Sequence, residues 1–398
     1  MEKKNWFKWK HYQPDIILLT VRWYLRYNLS FRDLVEMMEE RGLPISHTTI
    51  MRWVHQYGPE LDKRIRRYLK QINDSWRVDE TYIKVKGQWM YLYRAVDSNG
   101  KTIDFCLSKT RDHKDAKRFF KKALRSFHVS KPRVITVDKN PAYPIAIERF
   151  CCKVSYMKLH SRKQDIGESD MRYFKGKQFK RDIILVAVGY YCRFSLSYRD
   201  VSEILNERGI SVHPTTIMRW VHEYGNLIYQ IWKVKNKSAR LSWHLDETYI
   251  KVKGEWRYLY RAIDKDGNTL DIQLRKKRDH QAAYAFMKRL VKHFGEPTVL
   301  TTDKAPALLC AFKKLKKNGF YVRTKHCTVK YLNNLIEQDH RHVKRRFAKS
   351  AGFQNLRHAS RTIKGIETIQ AIYKQKRSLE SDSVFSVYKE LQQLVAIA

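Results

Sequence analysis

The chain has 398 residues, with 80 Lys or Arg against 40 Asp or Glu, which gives a formal net charge of +40. An excess this large repels itself in the compact state and favours a polyanionic partner, so double-stranded DNA is the expected partner and a membrane is not. Six cysteines without a CxxC pair, and a longest apolar run of only residues 183–192, argue against a zinc site, a disulfide framework and a membrane span, and they predict a cytoplasmic protein.

The sequence contains a long internal repeat. The nine residues Asp-Glu-Thr-Tyr-Ile-Lys-Val-Lys-Gly occur at 79–87 and again at 246–254, an offset of 167 (246 − 79). The eight residues Thr-Thr-Ile-Met-Arg-Trp-Val-His occur at 48–55 and 215–222, at the same offset. The period is far too long for a solenoid and indicates tandem duplication of a whole enzyme-sized unit. The likeness fades after about Phe150, so we interpret the first repeat as truncated and the second, from Met171, as complete.

Each repeat begins with three predicted helices, at about 15–27, 30–41 and 46–57 in the first and about 182–194, 197–208 and 213–224 in the second. Ser30 and Ser197 are expected N-caps, and Gly42 and Gly209 fall where a left-handed residue ends the middle helix. Pro214 suits the first position of its helix because its φ is fixed.

The third helix of each repeat carries a polar face suited to a DNA groove. In the second repeat this face holds Thr215, Thr216, Arg219 and His222, and an apolar face lies opposite. Thr48, Thr49 and Arg52 are the counterparts in the first repeat. The pattern predicts a helix-turn-helix that binds DNA, although an ordinary three-helix packing unit would show a similar pattern.

A strand-rich block follows the helices of each repeat. In the second repeat we predict strands at 242–250, 256–263 and 269–274, a helix at 280–294, a strand ending at Asp303, a helix at 305–316, a short strand at 321–324 and a helix over 331–344. Antiparallel strands followed by alternating helix and strand are typical of a ribonuclease H-like mixed sheet. The predicted fold class is therefore α/β, with helix-turn-helix units and tandemly repeated mixed sheets.

Acidic residues follow or occupy the predicted strands. Asp246 lies within the first strand, Asp303 ends a neighbouring one, and Glu337 lies on the last helix with Arg341 and Lys344 on its face. A glutamate on a basic helix is most often a solvated ion-pair former, but the two strand-associated aspartates favour a shared site. Oxygen ligands of this kind suit Mg²⁺ or Mn²⁺, and two such ions ~4 Å apart can activate one oxygen and neutralise another in phosphodiester chemistry. We expect Asp246 to bridge the ions, with Asp303 and Glu337 each holding one.

Neighbouring polar residues fit this site less well. Alternation along the strand predicts that Glu247 faces away from Asp246, and Asp339 is off the helix face that carries Glu337. His340 could line the site, but it is expected at the surface. In the first repeat, Asp79 and Asp138 lack a third partner, because Arg172 lies 34 residues beyond Asp138 (172 − 138). That repeat is predicted to hold a degenerate, inactive site.

From Met171 onward the chain resembles the DDE transposases of small bacterial insertion sequences, and most closely insertion-sequence family six. The resemblance is carried by Asp246-Glu-Thr-Tyr-Ile-Lys-Val-Lys-Gly, Thr301-Thr-Asp303-Lys and Tyr331-Leu-Asn-Asn-Leu-Ile-Glu337-Gln-Asp-His-Arg. The spacing of 34 residues between the last two acids (337 − 303) and a basic residue at Lys344 also match that family. The resemblance implies a helix-turn-helix that reads terminal inverted repeats, a ribonuclease H-like catalytic domain, Mg²⁺-dependent strand cleavage and transfer, and a nucleoid-associated oligomer on paired DNA ends.

Two other functions stay open. A transposase-derived DNA-binding protein could repress transposition without catalysis, and a ribonuclease H-like nuclease would cleave without joining. The predicted domains are a helix-turn-helix unit at 1–60, a truncated catalytic domain at 72–150, a junction at 151–170, a helix-turn-helix unit at 171–228, a catalytic domain at 240–350 and a basic helical tail at 351–398.

Overall fold

The computed structural model describes residues 11–65, 72–125, 132–137, 174, 177–237, 239, 241–347, 352–379 and 386–396. The chain divides into two compact units, one of Met1–Met51 with Lys163–Ala398 and one of Arg52–Arg162. Asp138, the helix predicted after Pro141 and the predicted junction at 151–170 lie outside the described residues. No described helix is long and apolar enough to cross a membrane.

The first helices are α1 (Pro14–Arg26), α2 (Phe31–Glu39) and α3 (His47–Ile65). Ser30 caps α2 as predicted, since its side chain accepts a hydrogen bond from the Asp33 N–H while the Asp33 carboxylate accepts one from the Ser30 N–H. Gly42 follows α2 at φ 72°, the left-handed conformation that was expected there. The helix α3 runs beyond the predicted end at Tyr57 and continues through Gly58 to Ile65.

The strand-rich block of the first repeat forms a four-stranded sheet with one helix. Its elements are β1 (Ser75–Val85), β2 (Gln88–Asp97), β3 (Thr102–Ser108), α4 (His113–Leu124) and β4 (Val134–Thr136). The strand order is β3-β2-β1-β4, with β4 parallel to β1 and the other pairs antiparallel. Trp76, Tyr93, Phe119 and Phe120 form the centre of its core.

The second repeat starts with α5 (Arg181–Arg193), α6 (Tyr198–Asn206) and α7 (Pro214–Lys235). Ser197 forms the same capping box as Ser30, and Pro214 occupies the first turn of α7 as predicted. The helix α7 continues past the predicted end at Tyr224. Gly225 lies inside this helix and marks a close approach of another segment, since a Cβ there would lie 2.8 Å from the Arg361 carbonyl oxygen.

A five-stranded mixed sheet follows, as predicted. Its elements are β5 (Ser242–Val252), β6 (Glu255–Asp264), β7 (Thr269–Arg275), α8 (His280–Phe294), β8 (Val299–Thr301), α9 (Pro306–Lys317) and β9 (Lys325–Cys327). The order is β7-β6-β5-β8-β9, antiparallel through β5 and parallel beyond it. The predicted strand at 321–324 is wrong, because the strand lies directly after it, at Lys325–Cys327. Tyr321 has φ 57° and these residues turn, so pairing with β8 begins only at Lys325.

The chain ends in a 3₁₀ turn (Lys330–Asn333) and the helices α10 (Asn334–Asp339), α11 (Arg341–Phe347), α12 (Leu356–Leu379) and α13 (Val387–Ala396). The helix α12 packs against α7 where Gly225 meets Gly365. The expected basic tail is therefore helical, and α12 is a packed element of the larger unit.

The repeated nine-residue motif is buried differently in the two sheets. Ile83 and Val85 are 36% and 38% exposed on β1, whereas Ile250 and Val252 are each 3% exposed on β5. The end of β5 is covered by Phe353, which forms an isolated bridge with Val252 and accepts a hydrogen bond from the Lys253 N–H. The same local sequence therefore forms the same strand, and later segments of the chain decide how far it is buried.

Candidate active site

Asp246 lies in the middle of β5, directly across from Arg261 on β6. Its side chain is 13% exposed. Burial, together with the negative charges of Glu247, Asp303 and Glu337, raises the pKa of Asp246 to about 7. A carboxyl group that resists ionisation among other acids marks a place where a cation would be stabilised.

Asp303 follows β8 by two residues, at the edge of the sheet where that strand ends. Its carboxylate accepts hydrogen bonds from the Ala305 N–H at 3.0 Å and from the Arg278 guanidinium at 3.3 Å. Arg278 also pairs with Glu247. Strand alternation predicted Glu247 on the face away from Asp246, but this acid is buried and is linked to Asp303 through Arg278, so it belongs to the same group of charges.

Glu337 is exposed on α10, and the predicted single helix over 331–344 is wrong. The structure has a 3₁₀ turn, then α10, a break at His340, and α11. At the break the Asp339 carbonyl accepts a hydrogen bond from the His342 side chain at 2.8 Å, and the Asp339 carboxylate accepts one from the distant Arg261. Arg341 and Lys344 are exposed on α11 and do not share one continuous helix with Glu337.

The three predicted acids are close enough for their charges to affect one another, but their carboxylates do not surround one common point. Asp303 and Glu337 both act on the pKa of Asp246. Within the described ranges, however, no group of three or more His, Cys, Asp or Glu side chains is close enough to hold one metal ion.

A buried ionic cluster ties α10 to the sheet, and the sequence analysis missed it. Fully buried Arg261 donates to Asp339 and to Glu367 of α12, both at 2.8 Å. Lys374 pairs with Asp339 at 2.5 Å, and His342 contacts Glu367 at 3.0 Å. Burial alone would lower the pKa of Arg261 and raise that of Glu367, but their mutual attraction raises the first and lowers the second. The cluster therefore stays ionised and fixes the helix of Glu337 beside the strand of Asp246.

His340 was expected at the surface, and this prediction is wrong. Its side chain is only 1% exposed, with Nδ1 3.7 Å from the Asp246 carboxylate. Burial, followed by the positive charges of Arg261 and Lys344, lowers the pKa of His340 to about 3. A neutral imidazole therefore lies beside Asp246 and contributes no positive charge to it.

A family model described as a DDE domain matches residues 73–182 and 240–376, more than half of the chain. The chain belongs to the DDE-domain family. A transposase for the insertion sequence-like element IS431mec of Staphylococcus aureus (strain Mu50) is 54% identical over 226 residues, which cover 57% of this chain and all of that protein. The transposase for insertion sequence element IS257 in transposon Tn4003 of Staphylococcus aureus matches to the same extent. This chain is accordingly a DDE transposase of insertion-sequence family six, a polynucleotidyl transferase that acts on DNA.

Among solved structures, the HTLV-2 integrase catalytic core domain in complex with magnesium, in its trimeric form, is 19% identical with a TM-score of 0.26. That similarity covers 33% of the transposase and 87% of the integrase chain.

The DNA-binding candidates of the transposase lie at the starts of α3 and α7. Arg219, Thr48 and Arg52 are exposed, and Thr215, Thr216 and Thr49 are partly exposed. His222 was expected on the same polar face, and this prediction is wrong. It is 8% exposed and stacks on His358 at 4.3 Å between ring centres. Burial and the neighbouring His358 lower its pKa to about 4, so His222 is a packed, neutral residue of the α7–α12 contact.

The corresponding place in the first repeat differs from Asp246. Asp79 is exposed on β1, and its carboxylate accepts a hydrogen bond from the Glu80 N–H at 2.8 Å. Arg94, the counterpart of Arg261, is also exposed and donates to Thr102 at 3.0 Å. Glu80 and Arg111 reproduce the Glu247–Arg278 pair. The first repeat thus keeps that ion pair, and among its described residues no buried cluster surrounds Arg94.

Proposed function

We propose that Asp246, Asp303 and Glu337 form the single active site of this transposase and hold divalent metal ions there. The observation that carries the proposal is the place of Asp246 on β5, next to the strand β8 that Asp303 follows, where burial and the charges of neighbouring acids raise the pKa of Asp246 to about 7. Oxygen donors are the ligands that Mg²⁺ and Mn²⁺ prefer, and a cation would remove the repulsion among these acids. The residues therefore fit the metal that the family implies by the chemistry of their oxygen donors, and Asp246, Asp303 and Glu337 would hold it.

The reaction that this site supports exchanges one phosphodiester bond for another. In cleavage, a water oxygen attacks the phosphorus at the element end, the bond to the 3′ oxygen breaks, and that oxygen takes a proton and leaves as a 3′-hydroxyl. In joining, this hydroxyl loses its proton and attacks a target phosphate, forming one P–O bond while one P–O bond of the target strand breaks. A metal held by these acids would lower the pKa of the attacking oxygen and neutralise the leaving one.

The chain's own residues orient this chemistry. The buried pair of Arg261 and Asp339 fixes α10, and so the position of Glu337 relative to Asp246. Arg278 holds the Asp303 carboxylate from the other side. Exposed Arg341 and Lys344 on α11 are suited to bind DNA phosphates near the acids.

We further propose that the chain is a truncated transposase fused to a complete one. Support comes from the two matched stretches of the family model and from the shared strand order of the two sheets up to β4 and β8. The order β7-β6-β5-β8-β9 favours a ribonuclease H-like catalytic domain in the second repeat. The first repeat, with exposed Asp79 and Arg94, is inactive in this account.

The helices α1–α3 and α5–α7 are proposed as helix-turn-helix units. They would bind the terminal inverted repeats through Thr48, Thr49 and Arg52 and through Thr215, Thr216 and Arg219. We place the protein on the bacterial nucleoid, working as a homo-oligomer on paired DNA ends.

A plasmid carrying matched terminal repeats tests the proposed function. With Mg²⁺ the intact protein is expected to cleave at the repeat ends and to join them to target DNA, and chelation of the metal with EDTA is expected to abolish both products. Cleavage without joining would indicate a nuclease. Binding with neither product would support the alternative, a DNA-binding repressor of transposition.

Arg219→Ala is expected to weaken binding to the terminal repeats by roughly 10–100-fold, because a base contact of this kind contributes about 1–3 kcal/mol of discrimination. Binding to random DNA of the same length should change much less. Competition titrations at one fixed salt concentration measure both affinities. An equal loss on the two DNAs would show that Arg219 only contacts phosphate.

A further inference from the structure

The helices α1 and α2 of the first repeat contact α5 and α6 of the second through charged side chains, all within the larger unit. Arg26 of α1 donates to Glu203 of α6 at 2.8 Å. Arg193 of α5 donates to Glu36 of α2 at 2.6 Å. The second pair is the better buried, since each of its side chains is only 12% exposed.

These two ion pairs are related by the sequence repeat. Arg193 is the counterpart of Arg26, and Glu203 is the counterpart of Glu36, both at the offset of 167. Arg26 therefore contacts the counterpart of Glu36, and Arg193 contacts the counterpart of Glu203. That reciprocal pattern defines an isologous, two-fold interface, which normally forms between two identical molecules.

A second layer of contacts follows the same rule. The Trp23 indole N–H donates to Glu207 at 2.8 Å. The counterparts of these residues are Tyr190 and Glu40, which lie close enough to each other to interact electrostatically. Within each repeat an arginine stacks on the aromatic residue of this layer. The guanidinium of Arg41 lies 4.3 Å from the centre of the Trp23 ring, and that of its counterpart Arg208 lies 5.6 Å from the Tyr190 ring. Two independent layers of side chains thus obey one approximate two-fold axis.

The symmetry departs at one position, for a visible reason. Arg22 pairs with Glu203 and Glu207, but its counterpart is Gly189. The helix α13 packs on Gly189, with Val387 3.2 Å from where a Cβ would lie. On that side Glu40 instead accepts hydrogen bonds from the Ser386 hydroxyl and the Tyr388 N–H, at 3.1 and 3.2 Å. The second repeat therefore replaces the missing guanidinium with donors from its own C-terminal segment.

We propose that α5 and α6 carry a homotypic pairing surface, and that α1 and α2 of the same chain occupy it as an internal second copy. This surface of the second repeat is complementary to its own counterpart in the first repeat. Its residues are Tyr190, Arg193, Glu203 and Glu207. A chain with one such helix pair would have to take this partner from a second molecule. In this chain the first repeat, although inactive in the proposed account, supplies the partner within one molecule and closes the surface to other chains.

Site-specific cross-linking of the full chain tests this proposal. One variant carries Arg26→Cys with Glu203→Cys, and the symmetry-related variant carries Glu36→Cys with Arg193→Cys. Each is prepared as a mixture of ¹⁴N- and ¹⁵N-labelled chains, treated with a short bis-maleimide and digested for mass spectrometry. The single-cysteine variants are the controls for the native cysteines.

The proposal predicts that both double variants give the designed linkage in high yield, with both peptides carrying the same isotope. Association of the chain through other surfaces does not alter this result, because only linked peptides are scored. If about half of the linked peptides carried both isotopes, as random pairing of labelled and unlabelled chains gives, the surface would pair between chains. Yields no higher than in the single-cysteine controls would show that the helix pairs do not meet in this way. Either result would overturn the proposal.

Discussion

Asp246→Asn is expected to lower strand cleavage and strand joining by at least about 10³-fold, because the variant loses a carboxylate that is proposed to hold the metal, and metal catalysis contributes several kcal/mol. The chain contains its own matched control. Asp79 lies in the same nine-residue motif, on a strand of the same register, but it is exposed and lies across from an exposed arginine, Arg94. Asp79→Asn should therefore leave both activities near the level of the unaltered protein.

The measurement is the rate of product formation on a plasmid with matched terminal repeats, with DNA binding measured in parallel. Retained binding in both variants would confirm that each protein is folded and reaches its substrate. A large loss of activity in Asp79→Asn would contradict the inactive first repeat and would indicate a site composed from both repeats.

Arg261→Met is expected to destabilise the larger unit by about 3–5 kcal/mol, because it removes the guanidinium that Asp339 and Glu367 share and leaves the buried Glu367 carboxylate without its arginine. Both acids contact the Arg261 guanidinium at 2.8 Å, and its side chain is fully buried. The matched change is Arg94→Met in the first repeat, where the arginine is exposed, and its effect should stay within about 0.5 kcal/mol.

Hydrogen exchange of peptides from residues 242–379 reports the stability of the unit that holds Arg261, without assuming that the whole chain unfolds in one step. Because α10 depends on this cluster, the Arg261 variant should also lose strand joining while still binding DNA through α7. Equal protection in the Arg261 and Arg94 variants would show that the cluster does not fix α10.

The local elements of the fold could be predicted because their signals are local. Ser30 and Ser197 cap helices through residues three positions away, and the strands β5, β6 and β7 follow from alternation and turn residues. The positions of Asp246 on a central strand and Asp303 just past its parallel neighbour followed from the same patterns. Because the sequence repeats at an offset of 167, a helix or strand predicted in one repeat could also be predicted at the matching position of the other.

The features that sequence reasoning missed depend on contacts between distant residues. The Arg261–Glu367 pair joins residues 106 positions apart. The break at His340 depends on what Asp339 and His342 contact, and helical periodicity contains no sign of it. His222 was placed on the polar face for a similar reason, since only the packing of α12 on α7 buries it against His358. The alignment of Arg261 opposite Asp246 is the one signal that could have been used, because the Lys253-Gly254 turn fixes that register.

The central claim is that Glu337 completes one active site in the second repeat, and the most direct test is Glu337→Gln in the cleavage and joining assay with Mg²⁺. The neighbouring change Gln338→Ala serves as the control for disturbance of α10. The account predicts that the Glu337 variant binds the terminal repeats with unchanged affinity and forms neither product, while the Gln338 variant remains active. Cleavage and joining by the Glu337 variant at the rate of the intact protein would contradict the account.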